Sequence, residues 1–152
     1  MRKIFAFIGL LAVIFALSQQ RGALLRATAP TEAEAGPRTQ TCDESLLTSA
    51  YRDHLSHVEI CGRGIVAKVL RDDTQGSRHQ RFIVRLVSSQ TLLIAYNIDI
   101  APYIEGLRQG VPIEFVGEYE WNPQGGVVHW THHDPAGHHP AGWIRYDGRQ
   151  YE

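Results

Sequence analysis

Between Arg81 and Val87 the side chains alternate, with Arg81, Ile83, Arg85 and Val87 on one side and Phe82, Val84 and Leu86 on the other. A period of two predicts a strand with one buried face. Ile65–Leu70, behind Gly62-Arg63-Gly64, and Thr91–Tyr96 are β-rich runs before and after it. Val111–Trp121 sets Ile113 and Phe115 against Glu114 and Val116, and Val127–His132 makes a fifth strand. Polar bends separate these runs at Arg71–Gly76, Ser88–Gln90 and Asn122–Gly126, the last reading as a hairpin turn. Ile100–Leu107, broken by Pro102 and ended by Gly110, reads as a short helical or turn segment. Residues 43–55 carry a helical period instead: Leu47, Ala50, Tyr51 and His54 share a face behind Asp43 and Glu44, whose charge favours a helix start. Trp143–Tyr146, Asp147-Gly148 and Tyr151 suggest a small terminal hairpin. Three strands, a short connection and a strand hairpin follow the order of the OB barrel. The expectation is a mainly β domain over residues 42–152: a small OB-like five-stranded barrel with one N-terminal helix and a short helical connection.

The start of the chain has a different pattern. Arg2 and Lys3 precede an uncharged apolar run to Leu17. That run is short of the roughly 20 residues a membrane span needs and suits the apolar part of a secretory signal. Ala16-Leu17-Ser18 puts small residues where a signal peptidase reads, so residues 1–18 are expected to be a signal peptide and the protein periplasmic or secreted. The alternative is an uncleaved membrane anchor. Residues 19–41 are rich in Ala, Thr, Pro, Glu and Gln with no apolar period, as a flexible spacer would be.

An exported chain changes what its two cysteines mean. Outside the cytoplasm Cys42 and Cys61 are expected to be joined, tying the entry segment to the first strand; in the loop-entropy picture such a bridge is worth about 3 kcal/mol. A metal pair of cysteines has no CxxC spacing behind it. Losing Arg2 and Lys3 from 15 basic residues, against 16 acidic ones, leaves the exported chain mildly acidic, which argues against nucleic-acid binding by overall field.

Candidate chemistry lies in two segments. Residues 125–143 hold five of the eight histidines: His129, His132, His133, His138 and His139. On a strand, His129 and Thr131 would face one way, Trp130 and His132 the other. Neutral imidazole binds Zn, Cu, Ni or Fe and also works as a general acid or base near neutral pH. Solvated loop residues and hydrogen-bonded face residues are the bland alternatives. The other segment, Arg71–Arg81, carries Asp72 and Asp73, which would suit a hard divalent cation, and Arg78 and Arg81, which would suit a phosphate or carboxylate. A solvated hairpin is the alternative there. Glu118 and Glu120 share a face of the fourth strand, and the hairpin at 122–126 makes cross-strand Glu–His neighbours geometrically expected.

Asp72–Phe82, Ala95–Pro102, Gly117–Asn122 and His129-Trp130-Thr131-His132-His133-Asp134-Pro135 together resemble domain-of-unknown-function family 3465, an exported bacterial family marked by its His-Trp-Thr-His-His motif. The resemblance covers about residues 58–152, leaves out Cys42 and implies no activity. A looser likeness is to secreted phosphodiesterases of the staphylococcal-nuclease type, where acids bind a cation and arginines hold phosphate; Asp72-Asp73-Thr74 stands where that family has Asp-Gly-Asp-Thr. The leading expectation is a phosphodiesterase acting on nucleic acid or another phosphate ester with a divalent metal as cofactor. His79, His129, His132, Arg78 and Arg81 would be catalytic, and His132, His133, Asp134, Asp72 and Asp73 would hold the metal. The alternatives are a non-catalytic module displaying Trp121, Trp130 and Tyr119 to an oligonucleotide, glycan or protein, and a periplasmic metal-binding protein using the 129–139 histidines.

Overall fold

The computed structural model describes residues 42–152. The expected signal (1–18) and spacer (19–41) lie outside the described residues. Among those described, no helix is long and apolar enough to cross a membrane.

Helix α1 spans Glu44–Arg52, and the side chain of Asp43 caps it by accepting from the Ser45 N–H at 2.9 Å. Seven strands follow: β1 (Val58–Val69), β2 (His79–Arg85), β3 (Thr91–Asn97), β4 (Pro112–Glu120), β5 (Val127–His129), β6 (Trp143–Tyr146) and β7 (Arg149–Tyr151). The sheet order is β1-β2-β3-β5-β4-β6-β7, and β1 also pairs with β4, which closes β1 to β5 into a barrel. Neighbours in the barrel run antiparallel except β3 and β5, which are parallel. β1 is long enough to serve two partners: Val58–Ile65 lies on β4, and Ile65–Val69 on β2 with a register shift between Val66 and Lys68.

The two-residue period fills the barrel as expected. Phe82 and Val84 of β2, Leu92, Ile94 and Tyr96 of β3, and Ile113, Phe115 and Tyr119 of β4 point inward and are almost fully buried. Helix α1 adds Leu47 and Ala50 to this core. Gly62 makes room for it, since a Cβ there would stand 2.8 Å from Leu47 Cδ1 and 2.5 Å from Phe115 Cζ. Cys42, just before the helix, is bonded to Cys61 in β1.

Two elements differ from the sequence expectation. The β3–β4 connection is a chain of turns rather than a helix: Pro102 has no N–H to give, and Gly106 and Gly110 take positive φ values of 70° and 87°. Side chains hold it instead, through a reciprocal pair between the Gln80 amide and the Ile104 backbone and through Tyr96 Oη donating to the Pro102 carbonyl at 2.9 Å. Strand β5 stops at His129 instead of His132, because Trp130 adopts φ +52° and turns the chain out of the ladder. The terminal hairpin β6–β7 forms and extends the sheet from β4.

Candidate metal centre

On the outer side of the barrel, β4 presents Glu118 and Glu120, which alternate with the buried Tyr119. The 122–126 turn pairs β4 with β5 so that Glu118 lies opposite His129. Gly117 allows this close approach: a Cβ there would meet the His129 carbonyl and stand 2.7 Å from Thr131 Cγ2. On the other side of β4, Val58 of β1 lies opposite Tyr119, so His57 arrives beside Glu120.

These strands bring three imidazoles to two carboxylates. His57 Nδ1 lies 3.1 Å from Glu118 Oε1 and 2.8 Å from Glu120 Oε1. His129 Nε2 lies 3.6 and 3.9 Å from the same two oxygens, and His139 Nδ1 lies 3.3 Å from Glu118 Oε2. Ligand atoms of His57, Glu118 and Glu120 all fall within 4.8 Å of one another. His129 Nε2 is buried and has no hydrogen-bond partner.

Backbone geometry singles out the same place. Of the five described non-glycine residues at positive φ, His54, His57 and Trp130 flank the cluster, with φ of 56°, 58° and 52°. His54 packs on Trp121 at 4.1 Å between ring centres, Trp121 N–H donates to Ser56 Oγ, and the Trp130 ring stacks on His139 at 3.8 Å. The first two contacts tie the 54–57 loop to the end of β4, and the third folds the 130–139 segment on itself.

The electrostatics follow from the crowding. Burial pushes the Glu118 carboxyl up, but the hydrogen bond from His57 and the nearby rings of His129 and His139 outweigh it and hold the group below the ordinary carboxylate range. Its hydrogen bond to Glu118, helped by the charge of Glu120, raises His57. Burial lowers His129 despite the two carboxylates beside it. Glu59, opposite Glu118 on β1, is raised by burial and then by the Glu118 charge.

The residues singled out in the sequence have other surroundings. Arg78 Nε lies 2.6 Å from Asp99, whose carboxyl is held low by the Arg78 backbone N–H and then by the guanidinium. Arg81 donates to the Arg71 carbonyl and lies 3.6 Å from Asp73, which also accepts from the Gln75 N–H. Both arginines are therefore committed to groups of their own chain. Asp134 organises the 134–139 loop by accepting from the N–H groups of Ala136, His138 and His139 at 2.7–3.1 Å. His132 is buried, with Nδ1 2.8 Å from the His133 carbonyl, while His133 is exposed. Among the described residues, His132, His133, Asp134, Asp72 and Asp73 do not converge on a common point. One part of the expected meeting does occur: Ser77 and His79, at the end of the bend, share a cleft with His129, Trp130 and His132.

Sequence reasoning named Glu118 and Glu120 as partners for the β5 histidines but missed His57. The signal for His57 is its place just before β1, which becomes informative only once β1 is known to pair with β4.

No curated protein matches the chain. The family model described as Protein of unknown function (DUF3465) matches residues 34–152, a stretch that begins well before Val58 and takes in Cys42, helix α1 and His57 as well as the histidine motif. With a match over most of its length, the chain belongs to the DUF3465 family.

Proposed function

We propose that this protein is an exported metal-binding domain that holds a divalent first-row transition ion between Glu118, Glu120 and His129, with His57 as a further ligand and His139 closing over Glu118. The observation that carries the reading is His129 Nε2, an imidazole nitrogen withdrawn from water, aimed at two carboxylates and given no hydrogen bond by the chain. A neutral imidazole lone pair beside two carboxylate oxygens makes a mixed N/O donor set. That set suits zinc-like ions better than Ca2+ or Mg2+, which take oxygen ligands. The strained backbone at His57 and Trp130 supports the same reading, because such conformations collect where a chain must deliver particular side chains.

Export is supported by the apolar run after Arg2 and Lys3 and by the Cys42–Cys61 bond, which persists in oxidising compartments. Phosphodiester hydrolysis has less support, since the two arginines meant for the phosphate are engaged by Asp99, Asp73 and the Arg71 carbonyl. Metal binding asks nothing of them.

The test is titration of untagged protein with Zn2+ and Mn2+, followed by calorimetry and elemental analysis. Zn2+ should bind with micromolar or better affinity, and Glu118→Gln with Glu120→Gln should abolish that binding while the fold, read by circular dichroism, persists. Zn2+ affinity unchanged in the double variant would overturn the proposal.

A further inference from the structure

Strand β1 changes partners at Ile65, which lies opposite Pro112 of β4 on one side and Arg85 of β2 on the other. A cleft of about 280 Å3 opens among these three strands. Leu86 and Ile113, both buried, line it with Ile65 and Val87, which are 38% and 82% exposed. Two apolar side chains thus stand in water at the edge of one apolar hollow.

Charged side chains stand around this hollow, and all but one are engaged. Glu114 is held by Arg145 at 2.9 Å, and Arg63 Nε lies 3.6 Å from Glu44. The Arg85 side chain makes no ion pair and no hydrogen bond among the described residues. The cleft therefore joins an apolar floor to a guanidinium without an acidic partner. Its main chain has little to give a ligand. Gly64 and Ile65 are laddered with Ile113 and Pro112, and Pro112 has no N–H.

We propose that this cleft binds a free fatty acid of medium chain length, with its hydrocarbon against Ile65, Leu86, Val87 and Pro112 and its carboxylate at Arg85. A guanidinium matches the planar fork of a carboxylate. The rest of the ligand has to be apolar, because each methylene taken out of water here gains free energy and finds no polar group to displace. A peptide ending in a carboxylate would bring amide groups that the laddered main chain leaves without partners. The proposal does not rest on the Glu118 centre. Glu59, which lies opposite Glu118, is about 20 Å from Ile65 along β1.

The experiment titrates isotope-labelled protein with sodium octanoate, sodium decanoate and decanol, all below micellar concentration, and follows backbone amide shifts by NMR. The amides of Gly64, Arg85, Val87 and Ile113 should move and saturate. Decanoate should bind roughly tenfold more tightly than octanoate, for its two further methylenes, and roughly threefold more tightly than decanol, for its charge. Arg85→Gln should bring decanoate down to the level of decanol and leave decanol unchanged. Arg85 is exposed at the end of β2, so this variant spares the core. Val87→Asp, at a position that is 82% exposed, should weaken decanoate more than decanol. Shifts that do not saturate, shifts confined to other residues, or a preference for the acid that survives Arg85→Gln overturns the proposal. Tighter binding of acetyl-leucyl-leucine than of decanoate also overturns it, making the occupant a peptide C-terminus. Shifts at the cleft that follow protein concentration without any acid do the same, making the occupant a second copy of the chain. Zn2+ affinity should be equal in Arg85→Gln and unsubstituted protein, so this proposal and the metal centre fail separately.

Discussion

Gln80→Leu tests whether the helix-free connection between β3 and β4 is fixed by one buried side chain. Gln80 is 2% exposed and Ile104 is fully buried. The Gln80 amide donates to the Ile104 carbonyl and accepts from the Ile104 N–H, each at 3.0 Å. Leucine has similar volume, so it leaves little cavity, but it strands both backbone groups of Ile104 away from water. Each stranded group costs about 1–3 kcal/mol, and the better transfer of Leu returns part of the sum. The net loss is about 2–4 kcal/mol, against a total of about 5–15 kcal/mol for a domain of this kind. With a urea slope of about 1–3 kcal/mol per molar, the midpoint should fall by about 1–2 M with the slope unchanged. Urea unfolding followed by Trp fluorescence reads both quantities, and Zn2+ affinity should hold because the carboxylate cluster lies on β1, β4 and β5. A loss under about 1 kcal/mol would refute the reasoning, since it would mean that water or another group already serves Ile104.

Other expectations follow from the same structure. Gly117→Ala should cost about 1–3 kcal/mol by thermal melt and also weaken Zn2+ binding, because its methyl group would push the 129–131 segment off β4; a neutral result would mean that β5 yields freely. Joint replacement of Cys42 and Cys61 by Ser should lower stability by about 3 kcal/mol, measured by urea unfolding in reducing and non-reducing buffer. Stability without metal should fall on both sides of neutrality. Glu118 and His129 have lowered folded values, so their contributions are present above their unfolded values and lost as pH falls through the folded ones; His57 has a raised value, so its contribution is lost as pH rises through it. In Glu118→Gln the alkaline decline should shrink, and histidine titration by NMR should show His57 moving back down; a His57 that does not move would sink the assigned contact.

Much of the barrel was legible because its strands obey a local rule. Phe82 and Val84, or Leu92 and Ile94, point inward by alternation alone, and the Asn122–Gly126 turn fixes which strands form a hairpin. The same turn makes the Glu118–His129 pairing readable, since a hairpin register is set within a dozen residues. What escaped is set over longer distances. His57 reaches Glu118 across 61 residues through closure of the barrel, and Arg78 finds Asp99 across 21. The arginines looked available because nothing local told of that partner. Alternation also misled at Trp130, where a single left-handed backbone conformation cancels the period of two for everything after it.

The placement of Glu118 and Glu120 on the alternate positions of β4 has a consequence for how the molecule can change. Tyr119 and Phe115 fill the interior from the inward positions of β4, so the side chains that meet the imidazoles are carried on the opposite face of the same strand. For the ion centre proposed above, exchanging one acid or imidazole for another there is expected to change which ion is held while the packing beneath stays, so that binding preference and folding could diverge independently on this frame.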